Sequence, residues 1–372
     1  MRWLFWLSAL LIGYAYLGYV AWLWLKARLF PWPVLRGSYT PLVSVVMVVR
    51  NEERLLPQKL DNLLHLDYPA NLLEVVVVSD GSTDGTEKIL REANEPRLRI
   101  VLNQLSRGKA YGLNDGIQIA QGDIVMFTDV RQKIESGALK KLVENFIDPD
   151  VGCVSGELML GDTKTGEAKE GMSLYWRIEK KVRELESASG SVVGATGAIY
   201  AVRRELLVDV PEGTLLDDVY IPMQVARQDK RVIFEPRARA WDSPDLGADR
   251  EFARKVRTLS GNYQLLQLAP WLLSGKNPIR FEFVSHKLLR LVVPFALVVA
   301  LLSAALASGV LYRIALVMQV AFYGASLLAL LPPRPGLLAR ASNVALTFVL
   351  LNMAALVAFA NYAGGRKAGW GR

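Results

Sequence analysis

Carboxylates collect at the ends of three apolar runs. Pro41 to Val49 leads into Arg50, Asn51, Glu52 and Glu53, and Leu72 to Val78 leads into Ser79-Asp80-Gly81-Ser82-Thr83-Asp84-Gly85. Asp123 to Thr128 leads into Asp129-Val130-Arg131. A carboxylate accepts hydrogen bonds, carries a divalent cation or takes a proton, so three acidic ends on one edge would make a binding or catalytic site. Taken alone, Asp80 to Gly85 also reads as a helix cap and turn. That reading does not explain acid at the other two ends. A further pair, Asp217-Asp218, follows the turn-prone Pro211-Glu212-Gly213. Adjacent carboxylates repel, which raises a pKa toward the working range of a general base. Lys109 opens a helical segment behind Gly108, where the helix dipole disfavours a cation, a mismatch that favours a functional lysine over a merely solvated one. Neither G-x-G-x-x-G nor G-x-x-x-x-G-K-S/T follows the first run, so a dinucleotide loop and a Walker-type loop are unsupported.

The elements that must position these residues alternate. The first two runs are rich in β-branched residues, as parallel strands covered on both faces are. Between them, residues 52–66 carry Leu55, Leu56, Leu60, Leu63 and Leu64 at helical spacing, giving a βαβ unit. A helix over Thr86 to Asn94, a strand over Leu98 to Leu102, a helix over Lys109 to Ala120 and a strand over Asp123 to Thr128 follow. The fold class predicted is α/β, doubly wound, with the ligand at the carboxyl ends of the strands.

The chain has 372 residues, 52% of them hydrophobic, with 44 Lys+Arg against 36 Asp+Glu and a formal net charge of +8. One cysteine, Cys153, and two distant histidines, His65 and His286, argue against a disulfide scaffold and a Cys/His zinc site, and fit a reducing compartment. No basic stripe interleaved with aromatics lies in the soluble part, so nucleic acid is a poor partner. Trp3 to Leu25 is uncharged over 23 positions, long enough to cross a bilayer, with Lys26 and Arg28 after it rather than before it as in a signal peptide. Leu291 to Tyr312, Ile314 to Leu331 and Ala341 to Gly365 are three more uncharged stretches. The positive-inside rule, applied to Lys26, Arg28, Lys287, Arg290, Arg334 and Arg340, puts the amino terminus outside and residues 27–287 in the cytoplasm, with Arg366 and Lys367 as the misfit. The organisation expected is an amino-terminal span (1–28), a cytoplasmic domain (40–262), an interfacial region (263–287) and carboxyl-terminal spans (288–365). Within the third of these, Tyr263 to Leu273 is too short to cross and reads as an interfacial helix. The basic residues Arg254, Lys255, Arg257 and Lys276 would face headgroups or an anionic ligand, or be ordinary surface charge. Gly161 to Gly171 reads as an exposed loop, and Tyr175 to Ser187, alternating in charge, as a solvated helix face.

Asn51-Glu52, Asp80-Gly81-Ser82-Thr83-Asp84-Gly85-Thr86, Arg107-Gly108-Lys109-Ala110, Phe127-Thr128-Asp129 and Leu216-Asp217-Asp218, in that order, resemble the motifs of family 2 glycosyltransferases over about residues 41–262. The flanking spans are similar to those of the branch with cellulose, chitin-oligosaccharide and hyaluronan synthases. The resemblance implies a GT-A fold in the cytoplasmic (plasma, or inner) membrane and inverting transfer from a cytoplasmic UDP-sugar to a growing glycan or a lipid. It places Asn51, Glu52, Asp80 and Ser82 at the nucleotide, Lys109 at the diphosphate, Asp218 as catalytic base and Asp217 as its support. It places Thr196, within Gly194-Ala195-Thr196-Gly197-Ala198, at the acceptor pocket. The family's Asp-x-Asp, which holds Mg²⁺ or Mn²⁺, reads Asp129-Val130-Arg131 here, so either Asp129 holds the metal with phosphate oxygens and water or Arg131 neutralises the diphosphate itself. The family's Gln-x-x-Arg-Trp reads Arg254-Lys255-Val256-Arg257-Thr258, which keeps the arginine and loses the stacking ring. A catalytically inactive, nucleotide-sugar-binding scaffold is the rival reading, and a homo-oligomer is compatible with either. A sugar-1-phosphate nucleotidyltransferase would need a basic loop where Asn51-Glu52-Glu53 stands.

Overall fold

In the computed structural model, residues 1–161, 174–243, 248–331 and 336–365 are described. Eight strands form one sheet: β1 (Val43–Val49), β2 (Leu73–Asp80), β3 (Leu98–Asn103), β4 (Ile124–Phe127), β5 (Lys133–Ile134), β6 (Val151–Leu160), β7 (Tyr200–Arg203) and β8 (Arg231–Asp242), in the order β3-β2-β1-β4-β7-β6-β8-β5. The β3-β2-β1-β4 half is parallel, as the strand and helix alternation predicts. Beyond it β7 runs antiparallel to β4 and to β6, and β8 pairs with β6 in parallel.

Every residue of β1 and β2 is buried because both faces are covered. Val45, Met47 and Val49 pack with Leu56, Leu60 and Leu63 of helix Leu56–Leu64 on one face, and Val46 and Val48 with Leu113 of helix Lys109–Ile119 on the other. That second helix rides close on the sheet: a Cβ at Gly116 would come within 2.6 Å of Val46, and one at Gly112 within 2.7 Å of Val48. The close approach holds Lys109, its first residue, at the carboxyl edge. The first helix begins at Leu56 rather than residue 52, because Asn51 has a positive φ of 56° and the backbone turns there.

Four helices are long and apolar enough to cross a membrane: Arg2–Leu29, Arg280–Leu306, Val310–Leu328 and Leu337–Ala363. They leave Leu302, Leu306, Val317, Met318 and Leu350 exposed, an outward apolar surface suited to lipid. The second and third are separated at Ala307 to Gly309, so Arg313 lies inside a helix rather than between two. Helix Ala248–Leu268 carries the first part of the segment expected at the interface, whose remainder forms the separate 3₁₀ turn Pro270–Leu273, and docks on the last span, where the rings of Tyr263 and Tyr362 stack at 5.2 Å.

Helix Leu174–Ser189 is a correction in part: Arg177 and Lys181 are exposed as a solvated face requires, but Glu179 and Glu186 are not. Glu179 and Glu186 are 9% and 1% exposed, on a helix that packs against both β8 and the first span. Tyr19 and Leu23 of the first span pack on Val182 and Leu185 of this helix. The loop read over Gly161 to Gly171 lies, past Gly161, outside the described residues, as do Arg334, Arg366 and Lys367.

Candidate active site

The carboxyl ends of β1 and β2 are knitted together by Asn51 and Ser82. Asn51 Oδ1 accepts from the Thr83 N–H at 2.7 Å, and the Asn51 N–H donates to Ser82 Oγ at 3.2 Å. Glu52 is anchored by its N–H to Thr86 Oγ1 at 2.8 Å and keeps its carboxyl free at the edge. Partial burial, with the charges of Asp84 and Asp129 nearby, raises the Glu52 pKa, and Arg131 acts against that shift.

Asp80 is turned inward. It is fully buried, with Oδ1 accepting from the Arg107 N–H at 2.8 Å and Oδ2 from Ser106 Oγ at 2.8 Å and the Gly108 N–H at 3.0 Å. Its carboxylate holds the loop that delivers Lys109, a positioning task. Gly108, with φ of 97°, adopts the left-handed conformation this delivery requires.

Lys109 is the centre of the cluster. Its Nζ lies 3.0 Å from Asp129 Oδ1 and 3.2 Å from Asp217 Oδ2. Burial works against the ammonium, but the two carboxylates more than offset it and raise the pKa, so the group stays charged. Asp217 is 5% exposed and Asp218 is more open. Burial, then the charge of Asp217, pushes the Asp218 carboxyl up to about 6, with Lys109 and Lys287 opposing. Residues 194–197 pack on Asp218: its carbonyl accepts from the Ala195 N–H at 2.6 Å, and a Cβ at Gly197 would stand 3.2 Å from Asp218 Oδ2. Thr196 is fixed in this loop by its N–H to Ser155 Oγ at 2.9 Å and by Arg183 Nη1, which donates to Thr196 Oγ1 at 2.5 Å.

Helix Ala248–Leu268 closes the site from the membrane side. Gln264 bonds the Leu215 N–H and the Gly213 carbonyl, both at the approach to Asp217. Two turns earlier, Arg257 presents a buried Nε with no hydrogen-bond partner, the state expected of a group that completes its bonding with an anionic ligand. Arg254 lies on the same helix, part-exposed.

Arg131 is not free. Its Nη2 lies 2.5 Å from Oδ2 of Asp242, which is 1% exposed at the end of β8 and also receives Gln132 Nε2 at 3.2 Å. Sequence reading did not single out Asp242, and no local signal marks it, because its partner is 111 residues away. Asp129 is open enough at this edge to take a divalent ion. One of its oxygens faces Lys109, and the side chain is 41% exposed. One carboxylate, with the rest of the shell left to phosphate oxygens and water, is a donor set that Mg²⁺-like ions accept. Among the described residues no group of three metal-ligating side chains forms.

Lys59 was also missed, and here the sequence carried a signal. It occupies the second place of the buried stripe Leu56, Lys59, Leu60, Leu63 on an otherwise apolar helix face. At 2% exposure its Nζ donates to Thr128 Oγ1 at 2.9 Å and to the Gln132 carbonyl at 2.6 Å. Thr128 Oγ1 in turn donates to the Ala198 carbonyl at 2.8 Å, so one ammonium ties the Asp129 loop to the loop on Asp218. Burial lowers the Lys59 pKa to about 7. An unfolded lysine titrates near 10.4, so between these values the unfolded chain binds more protons and stability rises with pH. The melting temperature of the wild type should therefore climb relative to Lys59→Met from pH 7 to 10. Turnover of Lys59→Met should fall about tenfold, the cost of losing two buried hydrogen bonds that tie the two loops together. A flat difference in melting temperature would refute the depressed pKa.

The family model described as Glycosyl transferase family 2 matches residues 44–210. Poly-beta-1,6-N-acetyl-D-glucosamine synthase of Staphylococcus epidermidis is 25% identical over 234 residues, 62% of this chain and 56% of that protein. The synthase of the same name from Staphylococcus aureus (strain COL) is 24% identical over 229 residues, 60% and 55% of the two chains. The match thus spans little more than half the length of these curated relatives. Among solved structures, the mannosyltransferase PcManGT from Pyrobaculum calidifontis, in complex with GDP-Man and Mn²⁺, superposes with a TM-score of 0.76 at 25% identity, covering 98% of this chain and 99% of that one.

Proposed function

Starting from the family 2 glycosyltransferase domain that this chain carries over residues 44–210, we propose that it transfers a sugar from a nucleotide-diphospho-sugar to a hydroxyl presented at the membrane surface. One observation carries the reading: an ammonium held between Asp129 and Asp217 lies next to a carboxyl, Asp218, whose pKa is pushed up to about 6. Transfer needs a cation where the diphosphate departs and a base where the hydroxyl loses its proton. The two stand side by side here.

In the proposed step the acceptor oxygen attacks the anomeric carbon, its proton passes to Asp218, the bond from that carbon to the diphosphate oxygen breaks, and the nucleoside diphosphate leaves. Lys109, and Arg257 through its unpartnered Nε, balance the charge that gathers on the leaving group. Asn51, Glu52 and Ser82 line the nucleotide end, and Asp80 acts on it through the loop it holds. Thr196 shapes the acceptor side. A divalent ion held by Asp129 would add charge neutralisation at the diphosphate. Single displacement of this kind inverts the anomeric configuration.

The donor proposed first is GDP-mannose, supported by the neighbour that superposes over nearly the whole chain with that nucleotide sugar bound. A UDP-sugar, as the sequence resemblance implies, is the second reading. The likeness to synthases of an N-acetylglucosamine polymer favours its N-acetylglucosamine form. The four apolar helices, with Lys26, Arg28, Lys287, Arg290 and Arg340 at their ends, support a catalytic domain on the cytoplasmic side.

Nucleoside diphosphate release by the detergent-purified protein, measured with GDP-mannose and a panel of UDP-sugars in Mn²⁺ and in EDTA, tests the reading. Release with one donor, reduced by EDTA and restored by Mn²⁺, is expected. Nucleotide binding without release from any donor, with lipid extract supplied as acceptor, would return the inactive-scaffold reading.

A further inference from the structure

Between the site and the membrane lies a second charged cluster that the transfer step does not use. Glu179 accepts from His286 Nε2 at 3.0 Å and from Arg290 Nη1 at 2.7 Å. Glu186 meets His286 Nδ1 at 2.8 Å and accepts from the Tyr19 hydroxyl at 2.7 Å. Burial alone would raise the Glu179 pKa, yet Arg290 and His286 hold it well below the usual carboxylate range, so both carboxylates are committed to partners inside the cluster. Two cations bridge from this cluster toward the catalytic centre, Arg183 pairing with Glu179 at 3.9 Å as it does so. Arg183 reaches Thr196, next to the glycine that abuts Asp218, and Lys287 is near enough to Asp218 for its charge to favour the ionised carboxyl. Lys287 is only part-buried, and among the described residues no carboxylate lies within ion-pair distance of it.

The backbone at Lys287 is unusual. Residues Val284–Leu288 form a π-helical turn, a local widening that recurs at functional sites, and Ser285 Oγ in this turn bonds the hydroxyl of Tyr14, the first residue of the π-turn Tyr14–Gly18 in the first span. The paired turns fix Lys287 one helical turn ahead of Leu291, where the uncharged stretch begins, which is the level of lipid headgroups. Cationic charge therefore stands at headgroup depth beside a general base. A base implies a hydroxyl nucleophile, and Lys287 beside it, without an ion-pair partner among the described residues, implies an anion on the same molecule.

We propose that the acceptor is a lipid-linked saccharide whose phosphate or diphosphate, joining lipid to sugar, is held by Lys287 and Arg183 while its sugar hydroxyl faces Asp218. This rests on the glycosyl transfer proposed above and names its acceptor class. In the step the sugar hydroxyl forms the new bond, its proton goes to Asp218, the donor's nucleoside diphosphate departs, and the acceptor's own phosphate linkage stays intact. A charge-assisted bond also anchors the lipid at one register, so that a single hydroxyl is presented.

Binding tests this without turnover. The protein in neutral detergent is titrated with polyprenyl-diphosphate N-acetylglucosamine, with the decyl glycoside of the same sugar, and with phosphatidylglycerol, and occupancy is read by native mass spectrometry. The diphosphate-linked sugar should bind at least about tenfold more tightly than the glycoside, Lys287→Met should weaken it about tenfold to a hundredfold, and Lys287→Arg should restore most of the affinity. Equal binding of the glycoside, or no change in Lys287→Met, would overturn the proposal. Equal binding of phosphatidylglycerol with the same Lys287 dependence would also overturn it, making this a general headgroup anchor. Donor affinity of the same variant is the control: a matching loss there would assign Lys287 to the nucleotide sugar and end the acceptor assignment. Failure of the transfer reading shows separately, as absence of nucleotide release.

Discussion

Asp218→Asn is expected to lower turnover about 10²- to 10⁴-fold, the range a positioned general base supplies, with the donor KM little changed. Asparagine keeps the shape and the packing against Gly197 and cannot take a proton, so the loss reads proton transfer rather than binding. The pH profile carries the sharper content. The carboxylate is the working form, so kcat/KM of the wild type should rise through about pH 6 and level above it. Burial is the first cause of that elevated value and the charge of Asp217 the second. Asp217→Asn removes the second while leaving an oxygen for Lys109, and should move the limb to lower pH. Stability should move the opposite way from activity. A carboxyl whose folded pKa exceeds the ordinary value of about 3.9 destabilises the fold as pH rises through the interval between them, so Asp218→Asn should melt higher than the wild type at pH 7, by up to about 3 kcal/mol. A variant with wild-type turnover, or an acid limb indifferent to Asp217→Asn, would remove Asp218 from the role.

What could be read ahead of the structure follows from the range of each interaction. β1 and β2 announced themselves because covering a strand on both faces demands an unbroken apolar run, and the spans because lipid demands the same over about 20 residues. The acidic strand ends were legible for the same reason: the chain passes abruptly from apolar to charged. The mixed half of the sheet, β7, β6 and β8, was not legible, since its pairings join residues far apart and its pattern is broken by register shifts between Val151 and Cys153 and between Ser155 and Glu157. Charge misled wherever burial was compensated from a distance. Glu179 and Glu186 look like a solvated face until His286, a hundred or so residues on, is seen between them. Asp80 lies in the motif most suggestive of a ligand, yet its oxygens serve backbone N–H groups of its own domain. Lys59 is the instructive miss, because a lysine inside a leucine stripe either disrupts the helix face or is held by specific acceptors, and the stripe was intact.

Lys109→Met should combine two losses and show them separately. The first is catalytic: removing a preorganised charge from the place where the diphosphate gathers negative charge costs about 10²- to 10³-fold in kcat. The second is electrostatic, within the free protein. Lys109 lies 3.0 Å from Asp129 and 3.2 Å from Asp217 and lowers the pKa of Asp218, so without it three carboxylates face one another unbalanced. The acid limb of kcat/KM should then move to higher pH, opposite in sign to the shift in Asp217→Asn. Leaving buried charge uncompensated also destabilises by about 3 to 5 kcal/mol near neutral pH, and the deficit should shrink as the pH falls and the carboxyls take up protons. Lys109→Arg keeps the charge with a different reach, and should retain the limb while losing part of the rate. Opposite displacements of one titration by two neighbouring substitutions are hard to obtain from general damage to the fold. If Lys109→Met instead leaves the limb in place, or moves it to lower pH, then the ammonium does not act on Asp218, and the placing of base and phosphate cation in a single site fails with it.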